Sequence, residues 1–218
     1  MLQLMCLLVL TWPVLAEVPT DEERSTIIEC HTKIREGVQP TASNMQLMNY
    51  STDMENLAVK LVANCQIPSD LSPFQGKGYT ILFEGNEVPQ FADVICKVNG
   101  SNYNYEMNSC NGDCDEYKQM VWATSTQIGC ASNKCANSND ASKSKYLMAC
   151  VYNPGQEDLS GRPYESGPIC SQCPQRYGCT RNQCDQNAQT TSSSTTISTT
   201  LSTLKVLFVA VLLPHTFK

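Results

Sequence analysis

Histidine is the scarcest reactive side chain here: the chain has two, His31 and His215. A serine or cysteine nucleophile needs a base within hydrogen-bond reach. His215 lies in a hydrophobic tail close to the end of the chain, so His31 alone could serve a folded domain, and no nucleophile motif accompanies it. Cysteine is the opposite case, with thirteen copies. Such usage belongs to an oxidising compartment, because cytosolic thiols are kept reduced. The run Cys170-Ser171-Gln172-Cys173, with Cys179 and Cys184, has spacing that zinc can use, but an oxidising setting favours disulfides there. Spacing alone fixes no connectivity.

Both ends carry processing signals. Residues 2–14 are mostly apolar and lead into Val14-Leu15-Ala16, the pattern of a secretory signal peptide over 1–16. Cleavage after Ala16 would remove Cys6 and leave twelve cysteines, an even number that can all pair. At the other end, residues 186–203 form a Ser/Thr-rich stalk without apolar periodicity. A hydrophobic tail follows over 204–218. Small residues at Ser192-Ser193-Ser194, a polar spacer and that tail make the pattern of a GPI signal with attachment at Ser192. Between these ends lie a globular zone, 17–165, and a cysteine-dense hinge, 166–185. The net charge is −6, with 15 Lys/Arg and no dense basic run. That excludes nucleic acid as a partner, since a phosphate-binding surface needs clustered cations.

Elements must then position the chemistry. Ile27, Ile28, His31 and Ile34 recur at helical spacing, as do Met54, Leu57, Ala58, Leu61 and Val62. Ser51 or Thr52 can cap the second helix, with Glu55 as the capping-box partner of Thr52. A third helix is expected over 87–98, and strands over 78–84, 119–125 and 146–152, the last ending at Asn153-Pro154-Gly155. Helices alternating with short strands give an α+β layered domain.

Two stretches carry a resemblance. Tyr117-Lys118-Gln119-Met120-Val121-Trp122 with Ile128-Gly129-Cys130-Ala131 resembles the first signature of the CAP superfamily, which includes cysteine-rich secretory and venom allergen-like proteins. Tyr146-Leu147-Met148-Ala149-Cys150-Val151-Tyr152-Asn153-Pro154-Gly155 is similar to the second. His31-Thr32-Lys33-Ile34-Arg35, Pro40-Thr41-Ala42-Ser43-Asn44-Met45 and Gly167-Pro168-Ile169-Cys170 extend the likeness, which is strongest to helminth venom allergen-like members. It implies a three-layer α-β-α sandwich with a C-terminal cysteine-rich hinge. It also implies pairing of Cys65 with Cys135 and Cys130 with Cys150, and in the hinge Cys170 with Cys179 and Cys173 with Cys184. The remaining four are taken as Cys30–Cys96 and Cys110–Cys114, a choice that spacing leaves open.

Many members of that superfamily hold a divalent metal with two histidines and two acids in a cleft. Carried over, those positions are His31, Glu84, Asn99 and Glu116, a degenerate set without a second imidazole. No cofactor is therefore expected, beyond weak calcium or magnesium binding through oxygens, and no catalytic residue is assigned. The hydrolytic alternatives are a metal-dependent hydrolase at this set and an acid/base pair of Glu84 and Glu116. Asn49-Tyr50-Ser51 and Asn99-Gly100-Ser101 are N-glycosylation sequons, and a glycan on Asn99 would stand over the cleft. The resemblance implies a secreted or surface-anchored, non-enzymatic module that binds extracellular or host proteins in an immunomodulatory role. Its alternative is a carrier of sterol or fatty acid, with Tyr103 and Tyr105 in a lipid-binding loop. A groove between the first two helices near Met45, Leu47, Met54 and Leu57 is the second lipid site considered.

Overall fold

The structure is a computed structural model that describes residues 16–136, 144–156 and 158–188. The signal peptide, Ser192, the hydrophobic tail and all but the first residues of the stalk lie outside these. In chain order the elements are α1 (Asp21–Glu36), β1 (Asn49–Tyr50), α2 (Thr52–Val62), β2 (Gly78–Gly85), α3 (Phe91–Ile95), β3 (Tyr103–Asn104), β4 (Ser109–Cys110), α4 (Asp115–Met120), β5 (Gln127–Ala136), β6 (Ser144–Asn153), β7 (Gly178–Thr180) and β8 (Gln183–Asp185).

Helix α1 starts where its sequence says it must. Thr20 accepts from the Glu23 backbone N–H while the Glu23 carboxylate accepts from the Thr20 backbone, a full capping box. Acids fill its first turn, and Lys33 and Arg35 its last, so both ends suit the helix dipole. In α2 the cap is Ser51, which accepts from the Met54 N–H. Glu55 is no capping-box partner. Its buried carboxylate accepts from the Arg24 guanidinium at 2.9 Å twice and from the Tyr50 hydroxyl at 2.7 Å.

One four-stranded sheet, in the order β1-β5-β6-β2, forms the middle layer. Strands β5 and β6 pair antiparallel over ten positions, from Gln127 with Asn153 to Ala136 with Ser144. Helix α2 covers one face, where Met54, Ala58, Leu61 and Val62 meet Ala131, Leu147, Ala149 and Val151. Helices α1, α3 and α4 cover the other, where Ile27, Ile95 and Met120 meet Ile128, Cys130, Met148, Cys150 and Tyr152. Alternate residues of β6 thus enter opposite cores, which is why 147–152 reads as an unbroken apolar run. The expected three-layer α-β-α sandwich is the architecture found.

Two expected elements differ. Residues 119–125 are not a strand: α4 ends at Met120 and the chain continues as a buried loop. The loop is apolar because it lies against α1, and its carbonyls are satisfied by Arg35 rather than by a ladder. The third helix shrinks to 91–95, with Pro89 before it and Cys96 held by a disulfide behind it.

Six disulfides join Cys30 to Cys96, Cys65 to Cys135, Cys110 to Cys114, Cys130 to Cys150, Cys170 to Cys179 and Cys173 to Cys184. Cys170, Cys173 and Cys184 bring their sulfurs within 4.8 Å of one another. They do so as disulfide partners, so no thiolate remains there for zinc. The hinge hairpin β7–β8 turns at Arg181 and Asn182, both at positive φ (49° and 59°). From that turn the Arg181 guanidinium reaches Glu29 at 2.6 Å and Glu36 at 2.6 Å, docking the hinge on α1.

Candidate functional site

Helix α1 has two working sides. Its inner side carries Ile27, His31 and Arg35, all fully enclosed. Its outer side forms one bank of a groove of about 1030 Å³, whose other bank is the segment from Ile95 to Gly100. Ile34, Val38, Ile95, Val98 and Tyr117 are its buried or half-buried apolar lining, and Glu22, Lys33 and Asn99 are exposed along its rim. The Cys30–Cys96 disulfide ties the two banks together. A volume of this size with an apolar lining and a few polar rim groups is what small-molecule sites share.

His31 is spent on the core. Nδ1 lies 2.8 Å from the Ile27 carbonyl oxygen. A carbonyl only accepts, so Nδ1 carries the proton. Nε2, 3.2 Å from the Tyr152 hydroxyl, is then the acceptor of the tyrosine proton. Burial, with a smaller push from the Arg35 charge, drives the imidazole pKa down to about 4. Arg35 itself donates to the carbonyls of Met120, Trp122, Gln46, Ala123 and Ser125. Burial lowers its pKa to about 9.

The four positions carried over from the metal-binding cleft are not brought together. Asn99 and Glu116 share a polar cavity of about 320 Å³ with Asp113. Burial, then Asp113, raises the Glu116 carboxyl above the usual range. Burial, and to a smaller extent the Glu116 charge, raise the Tyr152 phenol above its usual range. Glu84 is elsewhere. It pairs in register with Leu147, on the α2 face of the sheet, and binds Lys145 at the surface. It stands six residues along β2 from Gly78, the partner of Tyr152, or about 20 Å at strand rise. Of the degenerate set, Asn99 and Glu116 therefore share one cavity, while His31 is enclosed in the core and Glu84 lies outside that cavity.

The lipid-loop candidates are also committed. Tyr103 donates to Asn108 at 2.9 Å, and Tyr105 donates to the Tyr164 carbonyl at 2.9 Å and stacks on its ring at 4.8 Å. Met107 at the hairpin tip is the exposed apolar residue of that loop, at 71%. The groove expected between the first two helices does not form, because α1 and α2 lie on opposite faces of the sheet. Met54 packs under α2 and Met45 in a third cluster with Tyr117 and Tyr164.

The family model described as the cysteine-rich secretory protein family (CAP) matches residues 28–152. The chain belongs to the CAP family. Human "Cysteine-rich secretory protein LCCL domain-containing 1" is 34% identical over 184 residues, covering 76% of this chain and 37% of that protein. The chain spans just over a third of the length of this and similar curated relatives from mouse and chicken. The solved structure of Schistosoma mansoni venom allergen-like protein 4 is 29% identical with a TM-score of 0.54, covering 68% of this CAP chain and 97% of that one. Hookworm platelet inhibitor, at 22% identity and a TM-score of 0.57 over 79% of this chain and 95% of that one, shares the fold. Six disulfides, four in the CAP domain and two in the hinge, suit an extracellular protein.

The groove lining is what the sequence did not reveal. Ile34 reads as a core position of α1, and Val98 as the end of a short helix. Only the fold sets them face to face, so no spacing rule could have paired them.

Proposed function

We propose that this CAP chain is a secreted, non-catalytic binding module whose ligand is a fatty acid or similar single-chain lipid, held in the groove between α1 and residues 95–100. The observation that carries this reading is the groove itself, about 1030 Å³ with Ile34, Val38, Ile95, Val98 and Tyr117 along it. An acyl chain gains about 0.8 kcal/mol for each CH₂ taken out of water. Lys33, exposed on the rim and 3.6 Å from Glu29, offers a cation to a carboxylate head group. A sterol in the Tyr103–Tyr105 loop is less well supported, because both hydroxyls already bind protein groups. Extracellular or host proteins suit the same secreted module, and an immunomodulatory role would follow from withholding a lipid from them. The geometry favours the lipid as the direct ligand.

Catalysis is a poor fit to these residues. A general base must present a free lone pair, and both nitrogens of His31 are engaged in the core. A glycolipid anchor at Ser192 would keep the module at a cell surface, and release by a phosphatidylinositol-specific phospholipase tests that. For the ligand, the protein secreted from eukaryotic cells is extracted into organic solvent and the extract analysed by mass spectrometry. Free fatty acid at near one equivalent is expected. An extract matching the buffer blank, with no uptake of added fatty acid, contradicts the reading.

A further inference from the structure

The segment from Met45 to Tyr50 runs between two neighbours. On one side Gln46 and Asn49 donate their backbone N–H groups to the Ala123 and Thr126 carbonyls at 3.0 and 2.8 Å. On the other, Leu47 donates to the Cys184 carbonyl at 2.9 Å and Cys184 donates to the Met45 carbonyl at 2.6 Å. Hinge strand β8 is therefore laid along the CAP domain by a short parallel seam. Just past Cys184 the seam opens into a polar niche of about 250 Å³, lined among others by Gln46, Asn49, Thr126, Tyr177, Asp185 and Asn187.

Asn49 is both a wall of this niche and the first residue of a sequon, Asn49-Tyr50-Ser51. Its backbone is used by the sheet, while its exposed side-chain amide makes no hydrogen bond among the described residues. The other sequon differs. Asn99 donates its amide to the Lys97 carbonyl at 3.1 Å and accepts from the Ser101 N–H at 3.0 Å, and no hinge residue shares its cavities.

We propose that Asn49 is glycosylated and that its first N-acetylglucosamine fills the niche, clasping the hinge to the CAP domain. In the modification the Asn49 amide nitrogen bonds to the anomeric carbon of a polyprenyl-pyrophosphate-linked oligosaccharide. It loses one proton, and the pyrophosphate leaves with the bonding pair. The niche suits a sugar. The half-buried Tyr177 ring offers an apolar face to the C–H side of the pyranose, and the Gln46, Asp185 and Asn187 side chains offer donors and acceptors to its hydroxyls and acetamide. One ring bonded to both banks continues the seam beyond the last backbone hydrogen bond.

The test uses the full chain secreted from cells that install only high-mannose glycans. Peptide mapping first reports occupancy at Asn49, and an empty site overturns the proposal. Folded protein is then either trimmed by endoglycosidase H, which leaves one N-acetylglucosamine, or stripped by peptide N-glycosidase, which removes the whole glycan and converts the asparagine to an aspartate. Asn49→Gln is a second route to the bare form, chosen because replacing Ser51 would also remove the α2 cap. Hydrogen exchange over 183–187 is the readout, with Asn99→Gln as the control for a general glycan effect. Local opening should be slow and equal in the intact and trimmed forms, about tenfold faster in the bare forms, and unchanged by Asn99→Gln. Tyr177→Ala in the glycosylated protein should speed it in the same way. Equal exchange in trimmed and bare forms, or fast exchange already in the trimmed form, overturns the clasp.

Discussion

The Tyr152 hydroxyl donates to His31 Nε2 at 3.2 Å, joining the last buried residue of β6 to the inner side of α1. Removing the donor leaves a buried acceptor unsatisfied, which costs about 1–3 kcal/mol. Tyr152→Phe should therefore lower the thermal midpoint by several degrees while leaving the groove ligand bound. Calorimetry of both proteins, with and without added fatty acid, checks this.

The same histidine sets a pH dependence. Its pKa is about 4 in the folded protein, against about 6.5 in the unfolded chain. The unfolded chain therefore takes up the proton first, and the stabilisation of the neutral imidazole is complete above pH 6.5. It is lost as the pH falls from there towards 4, by roughly 3 kcal/mol in all. Chemical denaturation across that window should show this slope, and His31→Gln, which does not titrate, should flatten it.

Arg35 is a buried cation held by five carbonyls rather than by a carboxylate. A lysine ammonium has three donors and no planar fork, so Arg35→Lys leaves carbonyls of the 120–125 loop unpaired. A loss of about 2–4 kcal/mol is expected, read from urea unfolding midpoints. A midpoint within error of the wild type would contradict the assignment of this loop to Arg35.

The closeness of α2 to β5 depends on Gly129. A Cβ there would overlap the backbone of Met54 and Glu55, and backbone cannot swing aside as a side chain can. Gly129→Ala should cost about 1–3 kcal/mol and open the α2 face to hydrogen exchange, with the α1 face less affected.

How far the residues alone disclose all this varies by layer. β6 is legible because burial on both faces leaves only apolar and β-prone residues from Leu147 to Tyr152. β5 is not, because Ser132, Asn133 and Lys134 interrupt its apolar pattern, although Ser132 and Asn133 are buried in the fold. Residues 119–125 read as a strand because apolar content reports burial and not backbone conformation, and the cation that satisfies the loop is 85 or more residues away. Family resemblance places His31 in a cleft. Its helical spacing with Ile27 and Ile34 already puts it on the core side, where the structure encloses it. The groove is illegible because its banks, α1 and residues 95–100, come together only through tertiary packing and the Cys30–Cys96 bond.

Asn99 sits on the rim of that groove. If the Asn99-Gly100-Ser101 sequon carries a glycan, Asn99→Gln should speed ligand uptake by about threefold, because access limits association. Stopped-flow fluorescence with a polyene fatty acid reports the rate. A glycosylated wild type with the same rate as the variant would show that the glycan stands clear of the mouth.

The most direct measurement is equilibrium titration of that polyene fatty acid into the delipidated wild type and into Val98→Trp, whose indole would occupy the groove. The account predicts one saturable site in the wild type and affinity weaker by about tenfold or more in the variant, at an unchanged circular dichroism spectrum. Equal affinity in the two proteins would contradict it.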